Sequence, residues 1–199
     1  MTAFTTRFQR SWAEFVGPGA TRTNTTITLA ASAFGLAGSA WSARRAGAGA
    51  GVTTALSVLA MDLVGGAYVN NTRACARWYE RPGQGTAQHL RFAALHLHPF
   101  AIALADRSVG RRDRVIRWSV IHYGYLMAST AAIRRFPRRR RSLGVALTAG
   151  GLALDRALGP STVAPWFAWT YYPKLLLGHA AAALWSGEDL HIRHEGQHG

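Results

Sequence analysis

The feature that most constrains this 199-residue chain is how its basic residues are segregated. Of 23 lysines and arginines only Lys174 is a lysine, and the arginines gather in short clusters such as Arg44-Arg45, Arg111-Arg112 and Arg138 to Arg141, each beside an apolar stretch. Six such stretches follow one another: Thr26 to Trp41, Val52 to Val69, His89 to Ala105, Val115 to Ile133, Leu143 to Leu158 and Ala164 to Trp185. Each approaches the ~17 to 25 residues that cross a bilayer as a helix, and arginine is a usual flanking residue of such spans. The pattern predicts an all-α fold, a polytopic integral membrane helical bundle of about six transmembrane helices. Residues 1–25 read as an N-terminal interfacial segment, 26–186 as the bundle and 187–199 as a polar, histidine-containing tail.

Composition agrees in part. Charged residues make up 16% of the chain, below the roughly 25% of soluble domains. The mean hydropathy of +0.01 is low for a membrane protein because the arginines offset the apolar runs. The competing reading is a soluble helical bundle, supported by the short first and fifth stretches and the polar third. Segments such as AASAFGLAGSA and LGVALTAGGLAL weigh against it: they lack a charged stripe and are dense in the small residues that let membrane helices pack closely.

A formal net charge of +14 raises nucleic acid as a partner, but the charges flank apolar runs instead of forming one basic face, so no nucleic-acid role is expected. The scarcity of lysine and abundance of alanine, glycine and arginine suggest a GC-rich bacterial genome. One cysteine, Cys75, rules out an internal disulfide and a cysteine-based zinc site within the chain. With six spans, the N-terminus, the second and fourth connectors and the C-terminus share the more arginine-rich side, which places both termini in the cytoplasm.

Candidate chemistry begins with Asp62, central in the second stretch, where an ionised carboxylate is expensive. Asn70 and Arg73 follow at the boundary of that stretch, inside a dense run from Asp62 to Gly83, and the structural alternative is an Asp62 satisfied by Arg73 or by the hydroxyls of a neighbouring helix. In HLRFAALHLHPF, His89 and His96 are seven residues apart and share a helical face, His98 points elsewhere, and Pro99 frees a carbonyl near Leu95 and kinks the helix. His122 on the fourth stretch, Asp155 on the fifth and His179 on the sixth complete the intramembrane set. No spacing specifies a metal from one helix, and no motif names a cofactor. In the tail, His191, His194 and His198 read as part of a disordered end. Trp166, Trp169 and Tyr172 belong to an aromatic run before Pro173, either an interfacial belt or a wall around a lipid ring or cationic intermediate.

The leading expectation is a membrane-embedded enzyme doing acid/base chemistry on an apolar, lipid-like or isoprenoid substrate, with Asp62, His96 and His122 catalytic. Asn70, Arg73, His89, His98, Trp166, Trp169, Tyr172 and His179 would bind the substrate, and membrane lipids would surround it. The alternatives are a haem- or metal-binding membrane protein using His96, His122 or His179, and a small proton-coupled transporter or assembly subunit working as a homo-oligomer.

Overall fold

The computed structural model describes residues 12–190; the histidines of the tail, His191, His194 and His198, lie outside them, as does most of the N-terminal segment. The described residues are helical with no strand. In chain order the helices are α1 (Arg22–Arg45), α2 (Ala50–Val69), α3 (Arg73–Tyr79), α4 (Thr86–Ala94), α5 (His98–Ser108), α6 (Val115–Arg135), α7 (Arg140–Leu158), α8 (Phe167–Tyr172), a π-helical segment Pro173–Ala180 and α9 (Gly187–Leu190). The six apolar stretches therefore all become helix, in the expected order.

Among the described residues only α2 is long and apolar enough to cross a membrane, with a mean hydropathy of 1.5 over its best window. The other stretches fall short for identifiable reasons. α1 opens on RTNTT, α6 carries Arg117, His122, Arg134 and Arg135, and α7 starts at Arg140-Arg141 and holds Asp155-Arg156. The third stretch is two helices of 9 and 11 residues, and the sixth is a 6-residue helix followed by an 8-residue π-helical segment.

The break in the third stretch has a local cause. Pro99 lacks an N–H and its ring crowds the carbonyl four residues back, so the helix stops at Ala94 and restarts at His98. The carbonyls this frees are met from other helices: the hydroxyl of Tyr123 donates to Ala94 O at 3.1 Å and that of Tyr171 to His96 O at 3.0 Å. Pro173 opens the π-helical segment in the same way, and the Asn70 and Asn71 side-chain amides donate to Lys174 O and Pro173 O at 3.3 and 3.1 Å.

Small residues set the helix spacing. A Cβ on Gly35 of α1 would come within 2.7 Å of the Val64 side chain, so α1 lies directly along α2. A Cβ on Gly66 would come within 2.6 Å of Cδ and Cε of Lys174, so this glycine is what leaves the lysine its channel into the interior. The core around α8 is formed by Leu63, Ile102, Leu126, Phe167, Tyr171 and Tyr172, all nearly fully buried.

The arginine run after α6 is not one solvated patch. Arg134 donates to Ala180 O, Arg140 to the carbonyls of Ala181, Ala182 and Trp185, and Arg141 to Ala183 O, closing off the backbone where the π-helical segment ends. Arg135, Arg138 and Arg139 remain exposed. The first residues of the expected tail are also structured. Asp189 of α9 is bonded to Ser186 and pairs with Arg73 at 2.8 Å, and Arg77 donates to its carbonyl at 2.7 Å.

Candidate functional site

Asp62 projects from the fourth turn of α2, and its partner is Lys174, the only lysine of the chain, not Arg73. Lys174 Nζ donates to Asp62 Oδ2 at 2.6 Å, and Nε2 of His98, the first residue of α5, lies 3.4 Å from the same oxygen. The three side chains differ sharply in exposure: 2% for Lys174, 11% for His98 and 40% for Asp62. The ammonium sits behind the carboxylate, the imidazole beside it, and the carboxylate edge opens outward. Arg73 is taken up at the surface by Asp189 instead.

α2 and α5 run antiparallel past this group, with Asp62 opposite His98, and one turn away Leu59 and Ala101 line a groove of about 190 Å³. Val52, Ala55 and Leu56 of α2 and Leu104 and Ala105 of α5 complete its walls, which are wholly apolar. Asp62 and His98 do not line the groove; the nearest lining residues, Leu59 and Ala101, stand three positions from them along α2 and α5.

Behind this pair runs a series of rings. The expected separation of His96 from His98 does not survive the helix break, which stacks the two rings 5.4 Å apart with 23° between their planes. His96 Nδ1 donates to Phe92 O at 2.7 Å, which leaves Nε2 as the acceptor. Phe92 stacks on His179 at 3.8 Å, and His179 lies 4.6 Å from His89 and 4.3 Å from Tyr79. His89 Nε2 is 4.0 Å from Glu80, whose carboxylate is held by both terminal nitrogens of Arg134 at 2.6 and 3.3 Å. His89 and His179 are buried, and all four of their ring nitrogens lack a partner.

His122 belongs to a separate group on the other side of α8. Its Nδ1 meets the Tyr172 hydroxyl at 2.6 Å and its Nε2 faces Asp155 at 3.5 Å, under the Trp118 ring at 4.0 Å. With Tyr172 donating to Nδ1, the ring hydrogen sits on Nε2 and points at the carboxylate. The structure therefore joins Asp62 to His98 and Lys174, with His96 one ring away, and does not bring His122 to them.

Neither a protein-family model, nor a curated protein, nor a solved structure matches the chain.

The remaining expected site residues divide between wall and surface. Asn70 is buried, with its amide turned to the Lys174 backbone and its Oδ1 toward the Cys75 thiol. In the aromatic run Phe167, Tyr171 and Tyr172 point into the core, Trp169 is 69% exposed and Trp166 is half-buried with its indole N–H unpartnered. Among the described residues no three His, Cys, Asp or Glu side chains converge so as to hold a metal ion. Sequence reasoning missed Lys174 as the partner of Asp62, although a sole lysine in an arginine-rich chain was a signal. It also missed the Glu80–Arg134 pair, for which no local signal existed.

Proposed function

We propose that the chain is an integral membrane protein of about six membrane-crossing segments, with its termini in the cytoplasm, that does acid/base chemistry on a lipid-like or isoprenoid substrate. The substrate's apolar chain lies along the α2–α5 groove and brings its reacting carbon to Asp62 and His98. Asp62 gives or takes the proton, His98 is its exchange partner, and Lys174 holds the carboxylate in place and balances its charge.

The observation that carries this reading is an ionisable group one helical turn from an apolar groove, on the flank of the one helix among the described residues that is apolar enough to span a bilayer. The distribution of side chains supports lipid as the solvent. Phe34, Val58, Leu104, Ile116, Val145 and Trp169 are turned outward, while Thr28, Ser39, Ser119, Thr130, His122 and Lys174 are turned in.

Two measurements test it. The full-length chain is expected in the membrane fraction, resistant to alkaline washing, with reporters fused after residues 22, 80 and 140 in the cytoplasm and after 46, 110 and 160 outside. Recovery of the chain in the soluble fraction ends the reading. A photoactivatable acyl chain in those membranes is expected to crosslink to the peptides carrying Leu59 and Ala101, and Leu59→Trp, which fills the groove, to suppress it. Crosslinking spread evenly over the helices, and unchanged by Leu59→Trp, overturns the groove as the substrate's path.

A further inference from the structure

Asp62 opens toward lipid in the reading above, so the proton it exchanges has no aqueous source on that side. The rings behind it offer one. From Asp62 the polar groups run inward to His98 at 3.4 Å, then to His96 with ring centres 5.4 Å apart, and past Phe92 to His179, which lies 3.8 Å from the Phe92 ring. His89 follows at 4.6 Å, and its Nε2 is 4.0 Å from Glu80, whose side chain is 18% exposed at the end of the bundle where Arg134 and the α3–α4 connection meet.

Each end of this line is a carboxylate–cation pair, Glu80 with Arg134 and Asp62 with Lys174, and the middle is four imidazoles. The groups that face the middle from the neighbouring elements are Tyr79 and Cys75 of α3, Arg134 of α6 and Lys174 of the π-helical segment. Neutral imidazole suits proton passage, because it accepts on one nitrogen while donating from the other. His96 is set for this, its Nδ1 hydrogen held by Phe92 O and its Nε2 free to accept.

An unpartnered buried polar atom ordinarily costs about 1–3 kcal/mol. Four unpartnered nitrogens on His89 and His179, residues that are 1% and 3% exposed, are therefore unexplained by packing alone. Phenylalanine or leucine would fill the same aromatic cluster with Tyr79 and Phe92 at no such cost.

We infer that Glu80, His89, His179, His96 and His98 form a proton path that connects the aqueous end of the bundle to Asp62. The inference rests on Asp62 being the proton-exchanging group. Each proton that Asp62 gives to substrate is replaced by one entering at Glu80, and each proton it removes leaves by the same line, with no net charge moved across the membrane. The π-helical segment delivers both Lys174, at the Asp62 end of this line, and His179, in its middle, five residues apart in one segment.

The test uses the full-length protein in lipid nanodiscs and follows the carboxyl infrared band of Asp62, identified by its loss in Asp62→Asn, after a rapid acid jump. His179→Phe keeps the ring stacked between Phe92 and Tyr79 but removes both nitrogens, and His89→Phe does the same one step earlier. Both are expected to slow the rise of the Asp62 band by at least tenfold with its final amplitude retained, while His122→Gln, off the line, leaves the rate unchanged. An unchanged rate in His179→Phe and His89→Phe, with the band present, overturns the path alone. If the wild-type protein shows no band that Asp62→Asn removes, Asp62 does not exchange a proton, and both the proposed function and the path fall. Should His179→Phe not fold, His89→Phe and His89→Leu decide the question on the same readout.

Discussion

Two carboxylates in this bundle each face a cation, and their surroundings could hardly differ more. Asp106, at the end of α5, is fully buried and saturated: it receives Arg112 Nε at 3.0 Å, the Ser161 hydroxyl at 3.1 Å, and the backbone N–H groups of Thr162 and Val163 at 3.0 and 3.1 Å. Arg112 in turn donates to Gly159 O at 3.0 Å, and the Trp118 indole N–H donates to the same carbonyl. Every polar atom around Asp106 has a fixed partner, and the result ties the connection before α8 to the start of α6. Asp62 has two partners, an open edge and a neighbouring His98 whose Nδ1 is unpartnered. A saturated carboxylate holds structure together; Asp62, held by Lys174 and His98, keeps an edge that a further group can reach.

The comparison breaks first at Asp106. Asp106→Ala strands Arg112 and three donors, and is expected to cost about 3–5 kcal/mol, the range for removing one partner of a buried pair. Thermal melting in detergent measures it, and a loss too small to resolve would show that Asp106 is not the anchor described here. Asp62→Asn is the counterpart. It keeps an acceptor for Lys174, so its melting should shift far less than that of Asp106→Ala, while turnover of an apolar substrate falls ~10² or more. If the two variants melt alike, the distinction between the two carboxylates fails.

Gly66→Ala sharpens the picture at Lys174. The new Cβ meets the lysine stem at 2.6 Å and must push it, at an expected cost of about 1–3 kcal/mol for overpacking. The displaced ammonium should leave Asp62 easier to protonate, seen as its infrared carboxyl band developing at higher pH. An unshifted band would mean that Lys174 does not hold the carboxylate.

Much of this was legible along the chain, and what was not has a common cause. The six apolar stretches mark the helices because burial periodicity is local, and Pro99 marks the break because its effect reaches only four residues back. Asp62 stands out because a carboxylate in an apolar run is costly wherever its partner comes from. The partner itself, 112 residues away, is set by how the π-helical segment packs on Gly66, and nothing within one helix specifies that. His98 was read on the wrong face because a continuous helix was assumed through a stretch that is two. Asp106 lies just past the end of an apolar run, with no sequence signal that the bundle closes over it. The arginine run at 134–141 looked like a flanking charge cluster, and half of it caps carbonyls that only the folded chain brings near.

The smallest expected effect lies outside both carboxylate groups, at Asp189. Its bonds to the Ser186 hydroxyl and amide hold its carboxyl below the ordinary value. That depressed value means the tie to Arg73 and Arg77 contributes above the ordinary carboxylate range and is lost only as pH falls through the lowered one. Asp189→Asn should leave the melting temperature unchanged and increase protease cutting after Trp185. A large drop in melting would assign α9 a structural weight its exposed position does not suggest.

The most direct test of the central claim treats both carboxylates at once. Membranes containing the full-length protein are exposed in mild acid to a membrane-soluble carbodiimide, which modifies protonated carboxyls in apolar surroundings, and in parallel to a water-soluble one, with the modified peptides read by mass. The account predicts that the membrane-soluble reagent modifies Asp62 and spares Asp106, and that the water-soluble reagent modifies neither. Asp62 left unmodified, or Asp106 modified to the same extent, would contradict it.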